Sequence, residues 1–146
     1  LTLKLAEHSN IIGIKEAGSD LWRSSEIARQ APDDFVMLSG DDNLTLPLLS
    51  VGAVGVISVI SNLFPEPFVK LVDAVLCDKL EQARQWHQKL SPLLSALSLE
   101  TNPSPIKEAL NFAGLDVGQV RAPLAPVTKL TSNTIRKAFD NLIGQL

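Results

Sequence analysis

Three short apolar runs, each followed by a helical pattern, restrict the fold of this chain more than any other feature. They are "NIIGIKEA" from Asn10, "FVMLSG" from Phe35 to Gly40 and "GVISVI" from Gly55 to Ile60. Near-continuous apolar runs of this length, alternating with helices, specify buried parallel strands and an α/β fold. Ser19 or Asp20 can cap a helix reaching Gln30, where "APDD" ends it. Asp41 to Asn43 offers caps for a second, short helix to Ser50, stopped at Gly52. Pro65 and Glu66 open a third, in which Phe68, Leu71, Val72, Val75 and Leu76 recur at helical spacing.

From Asp78 the strand signal ends and only helices are expected. The pattern predicts one from Lys79 to Leu97, kinked at Pro92. A second has Pro105 at its first position and Gly114 just past its end. A third, from Thr131 to Ile143, carries Ile135, Ala138, Phe139, Leu142 and Ile143 on its apolar face. "VRAPLAPVTKL" between the last two is a proline-stiffened, extended connector. The expected division is a βα part, residues 1–77, and an all-helical part, residues 78–146.

With 45% hydrophobic and 20% charged residues among 146, the chain can bury a real core. Its net charge of −3 comes with dispersed Lys and Arg, which argues against nucleic acid as a partner. The single cysteine, Cys77, precludes an internal disulfide and reads as a buried small hydrophobe in a reducing compartment. No apolar run approaches the roughly 20 residues that span a bilayer, and no signal peptide opens the chain, so a cytoplasmic protein without membrane contact is expected. The opening "LTLKLAEHSN" lacks an initiating Met and reads as the end of an amphipathic helix, which suggests a fragment. His8 and His87 have no partners at metal-ligand spacing, so no metal site is expected. Ser58 and Ser61 lack a nearby base, and Trp22 and Trp86 read as packing or interface aromatics.

An open sheet that binds dinucleotides would show a glycine-rich phosphate turn, and "GIKEAGSD" is neither that nor a P-loop. In a (β/α)8 barrel, Lys15, Gly40 and the end of "GVISVI" would occupy the carboxyl ends of successive strands, where barrel enzymes carry their chemistry. A whole barrel takes about 250 residues, so three βα units are only part of one.

Lys15 is the anomaly in the first strand. Alternation puts it on the face of Ile11 and Gly13, at the inward end of a run that looks buried. A buried ammonium is costly unless it is paired or gives up its proton, and a neutral amine attacks carbonyls to form a Schiff base, an electron sink for carbanion chemistry. The competing reading is a stem packed on the strand with its head in water or paired with Glu16.

"IIGIKEA", "LSGDD", "GAVGVISVISN", "NPSPIKEAL" and "RAPLAP", in this order and spacing, resemble the carboxyl-terminal half of the dihydrodipicolinate synthase family, among the pyruvate-dependent class I aldolases and lyases. The likeness runs from the first strand to the final helix and implies the carboxyl-terminal part of a (β/α)8 barrel followed by a helical domain. It implies that Lys15 forms the Schiff base with pyruvate and that Gly40 and Ile57 line the pocket around the bound keto acid. Pyruvate and aspartate semialdehyde are the implied substrates, no organic cofactor or metal is needed, and a homodimer or homotetramer is the implied assembly. Leu21, Trp22, Leu48 and Val51 would supply an apolar patch for it. Asn102, Pro103, Pro105, Arg121, Pro123 and Pro126 favour this family over N-acetylneuraminate lyases and keto-deoxy-sugar-acid aldolases. Asp41 and Asp42 read as helix caps.

The chain contains no tyrosine. The resemblance implies a proton relay through a tyrosine and a threonine, a tyrosine from a second chain and an arginine for the second substrate, all in the amino-terminal half. The expectation is a Schiff-base lysine without its relay and a chain inactive by itself. The alternatives are another pyruvate-dependent aldolase, an N-acetylneuraminate lyase or a keto-deoxy-sugar-acid aldolase, and a non-catalytic half-barrel module.

Overall fold

In the computed structural model, which describes residues 1–146, the three apolar runs become β1 (Gly13–Glu16), β2 (Val36–Ser39) and β3 (Gly55–Val56). They form one parallel sheet in the order β1-β2-β3. Gly13 pairs with Val36, Lys15 with Leu38, and Leu38 in turn with Gly55. All three strands are shorter than their apolar runs, and β3 most of all. After Ile57 donates to the Ser39 carbonyl, the chain leaves the sheet and turns through a 3-10 segment at Ile60–Asn62.

The helices are α1 (Thr2–Ala6), α2 (Leu21–Gln30), α3 (Thr45–Ser50), α4 (Pro65–Leu76), α5 (Leu80–Leu97), α6 (Ser104–Phe112) and α7 (Lys129–Ile143). Asp20 caps α2 by accepting from the Arg23 amide at 3.0 Å. A 3-10 turn at Asp42–Leu44 leads into α3, after which Gly52 takes φ +116°, a conformation few other residues tolerate.

Two compact units result. The first comprises residues 1–59 and 70–84, the second residues 60–69 and 85–146. Ile27, Met37, Leu48, Leu49 and Leu71 are buried in the first. The alternation of its strands is one-sided. Met37, Ser39 and Glu16 are buried, whereas Val36 is 39% and Ile57 48% exposed. The expectation of near-complete burial therefore fails for one sheet face, which lacks a covering layer.

In the second unit α6 packs on α7, burying Ile106, Ala109, Ile135, Phe139 and Leu142. Phe64 meets Phe139 with ring centroids 5.7 Å apart, and the Arg136 guanidinium lies 3.9 Å from the Phe112 ring centre. The Thr128 side chain caps α7 by accepting from Thr131 N–H, while Glu100 accepts from both the Thr128 amide and its hydroxyl. Hydrogen bonding from the Thr131 side chain first, then from the Thr128 amide and hydroxyl, holds the Glu100 carboxyl below the usual range. Ser104 Oγ donates to the Ala125 carbonyl at 2.8 Å, tying the proline-rich connector to the start of α6.

Helix starts and the burial of residues near helix ends differ from the pattern. α6 begins at Ser104, so Pro105 is its second residue, and α7 begins two residues early because Thr128 supplies the cap. Leu76 and Ile143, each at the end of a helix, are 54% and 52% exposed rather than part of an apolar face, and Cys77, just past α4, is exposed rather than buried. Proline lies inside α5 at Pro92. No helix is long and apolar enough to cross a membrane.

Candidate active site

Parallel register aligns the carboxyl ends of the three strands. Gly40 N–H donates to the Glu16 carbonyl at 2.7 Å, and Ile57 N–H to the Ser39 carbonyl at 2.8 Å. Lys15, Leu38 and Gly55 stand in one row across the sheet, and residues level with one another point to the same side. Lys15 therefore emerges on the uncovered face, and it is exposed, not buried as its apolar run suggests.

The absence of a side chain at Gly40 makes room for the lysine. A Cβ there would lie 2.8 Å from Lys15 Cε, 2.9 Å from Lys15 Cγ and 2.9 Å from the Ala17 Cβ, closer than carbon atoms approach. Ile57 is half-exposed at the end of β3. Lys15, Gly40 and Ile57 thus occupy the same edge of one sheet, and Gly40 touches Lys15 directly.

Glu16 points the opposite way and is 1% exposed. Its Oε1 accepts from the Gly18 amide at 2.7 Å, and its Oε2 pairs with the Arg23 guanidinium from α2. That hydrogen bond, and then the charge of Glu16, raises the Arg23 guanidinium above its usual range. The partner of Glu16 is therefore Arg23 and not Lys15. The pair anchors the turn that follows the lysine and leaves the Lys15 amine on the uncovered side.

Behind β2, Ser39 and Thr45 are fully buried and their hydroxyls lie 3.2 Å apart. Both donate to the Asp41 carbonyl at 2.9 Å. Asp41 is a cap, its Oδ1 accepting from Asn43 N–H at 2.8 Å. Asp42 is not. It is buried, and its Oδ2 accepts from the Val59 amide at 3.0 Å, beyond β3. Clefts of about 250 and 290 Å³ open near the amino ends of the strands, the first lined by Ala6, His8, Ile12 and Phe35, the second by Ile27, Val36 and Val54. Neither reaches Lys15. No group of three His, Cys, Asp or Glu side chains is assembled to hold a metal ion.

Residues 2–142 match the model of the Dihydrodipicolinate synthetase family. The chain belongs to that family. It is 44% identical to the 4-hydroxy-tetrahydrodipicolinate synthase of Archaeoglobus fulgidus, over 97% of this chain and 49% of that protein. With the synthase of Methanosarcina barkeri it is 48% identical, over 96% of this chain and 47% of the relative. The solved 4-hydroxy-tetrahydrodipicolinate synthase of Methylacidiphilum fumariolicum SolV superposes with a TM-score of 0.94 at 47% identity, over 98% of this chain and 48% of that one. The chain spans about half the length of the curated relatives it matches.

Within this member of the Dihydrodipicolinate synthetase family, the site residues named from sequence share one sheet edge, but their supports were not all foreseen. Period-two alternation sends Glu16 to the face opposite Lys15, which argues against pairing the two, but neither its burial nor its partner Arg23, one helix away, follows from local pattern. Of the expected apolar patch, Trp22 is 75% exposed and Leu21 36%, whereas Leu48 is fully buried and drops out. Leu48 sits on the inward side of α3, in the core of the first unit.

Proposed function

We propose that this chain is the Schiff-base-forming portion of a 4-hydroxy-tetrahydrodipicolinate synthase, which condenses pyruvate with aspartate semialdehyde in lysine and diaminopimelate biosynthesis. The observation that carries the reading is Lys15 at the carboxyl end of β1, on the uncovered face and against the bare Cα of Gly40. Family membership supplies the reaction. In this reading residues 1–77 are the carboxyl-terminal part of a (β/α)8 barrel and residues 78–146 a helical domain. An amino-terminal half completes the barrel. The assembled enzyme is a cytoplasmic homodimer or homotetramer.

The Lys15 amine attacks the keto carbon of pyruvate, and the carbinolamine loses water to give an iminium. Loss of a proton from the methyl carbon leaves an enamine, which adds to the aldehyde carbon of aspartate semialdehyde. The amine of that substrate then attacks the former keto carbon, closes the ring and expels Lys15. Each step uses only the lysine, the two substrates and proton transfers, so no metal or organic cofactor enters. Gly40 and Ile57 border the keto acid, the first by leaving space, the second by an apolar wall.

Borohydride reduction in the presence of pyruvate is expected to leave one stable adduct on the completed enzyme, mapped by peptide mass spectrometry to Lys15. An adduct on any other lysine sinks the assignment. Gly40→Ala is expected to slow this labelling by roughly 10- to 100-fold, because a methyl group at that position displaces Lys15 by a sizeable fraction of an ångström. Labelling at the native rate would mean that Gly40 does not shape the lysine's surroundings.

A further inference from the structure

We propose that Asp42 is the positioning residue that holds the two pocket-lining segments, around Gly40 and around Ile57, at a fixed separation. The inference rests on the assignment of Lys15 as the pyruvate-binding lysine. Asp42 lies two residues beyond Gly40 and accepts, through Oδ2, the amide hydrogen of Val59, two residues beyond Ile57. Its side chain is buried although it belongs to a turn, and it spans 17 positions of sequence. A helix cap would not require this, since Asp41 already caps the turn.

The sheet itself provides no such link. β3 contributes only Gly55 and Val56 to the ladder, and the last backbone bond from β2 reaches Ile57. Past that point the segment carrying the pocket wall has left the strands. The bond from Asp42 ties it to the β2 end of the site. A buried carboxyl oxygen that accepts a backbone N–H fixes the distance between the two segments it joins, and removing it gives up that bond. The upstream side of Asp42 is equally restrained, because Ser39 and Thr45 both hold the Asp41 carbonyl. Gly40 is thus fixed from behind, and through Asp42 the same frame extends to Ile57.

This assigns Asp42 an effect on the affinity of the pocket rather than on bond making at Lys15. In the completed enzyme, Asp42→Ala is expected to raise the pyruvate concentration that half-saturates borohydride trapping by about tenfold or more, with the limiting trapping rate changed far less. Asp42→Asn keeps an oxygen able to accept from Val59 and is expected to stay within about threefold of the native value. Half-saturation of Asp42→Ala at the native concentration overturns the proposal, as does an Asp42→Asn variant as impaired as the alanine. If Asp42→Ala does not fold, Val59→Pro, which removes the donor and retains the carboxyl, is judged by the same criterion. Hydrogen exchange of the native protein needs no substitution: the Val59 amide is expected to be protected, and exchange as fast as that of an open loop also overturns it. Failure of native Lys15 to be trapped at all would instead strike the proposed function, so the two failures are distinguishable.

Discussion

Replacing Lys15 with alanine in the completed enzyme is expected to lower kcat for the condensation by about 10⁴-fold or more, since in the proposed role it is Lys15 that supplies the iminium through which the carbanion is stabilised. Lys15→Arg should do nearly as much harm, because a guanidinium keeps the charge and is not a nucleophile at neutral pH. Both variants should remain folded. The Lys15 side chain is exposed, and the ion pair that anchors its strand end belongs to Glu16 and Arg23. Substitutions at such positions typically change stability by only about 0.5 kcal/mol. Loss of activity with an unchanged melting temperature therefore marks a chemical role. The measurement is a coupled assay of turnover beside a thermal melt, and turnover within a hundredfold of the native enzyme would rule out Lys15 as the Schiff-base residue.

Residues 1–146 alone should show no measurable condensation, and co-expression with an amino-terminal half from the same family should restore it. Two deficits combine. The face that presents Lys15 is uncovered, with Val36 and Ile57 in contact with water, so the iminium would form in a site that neither excludes solvent nor orients a second substrate. The chain also has no tyrosine to relay protons, and general acid and base assistance is worth about 10² to 10⁴ in rate. β1 and β3 are the two free edges of the sheet, and new strands pairing with both would close it and bury the inner face. The same assay, run on the purified chain and then on the reassembled pair, checks this. Substantial turnover by the chain alone would overturn the proposed division of the site between two halves.

How much of this was legible beforehand depends on the range of the interaction involved. The Asp20 cap, the existence and carboxyl end of α7 and the position of Lys15 near the end of β1 follow from neighbours within a few residues. The strand lengths do not. An apolar run extends as far as its residues are apolar, whereas a strand extends only as far as it has a partner, and β3 stops at Val56. Lys15 is instructive because it was placed on the correct strand but given the wrong surroundings. Its alternation partners are hydrophobic, which suggests burial, yet nothing in the chain covers that face. Asp42 fails for a related reason. Beside Asp41 it looks like a second cap, and only the fold brings the Val59 amide to it.

By itself the sequence determined the order of strands and helices, most of the helix ends and which lysine stands at a strand terminus, since propensity, capping and alternation act between residues close along the chain. The tertiary structure decided which sheet face is covered, that Glu16 pairs with Arg23, that Leu48 is core rather than surface, and that Asp42 serves the loop after β3. Each of these depends on where separate elements come to rest against one another, a matter of packing and parallel register that local patterns along the chain do not encode.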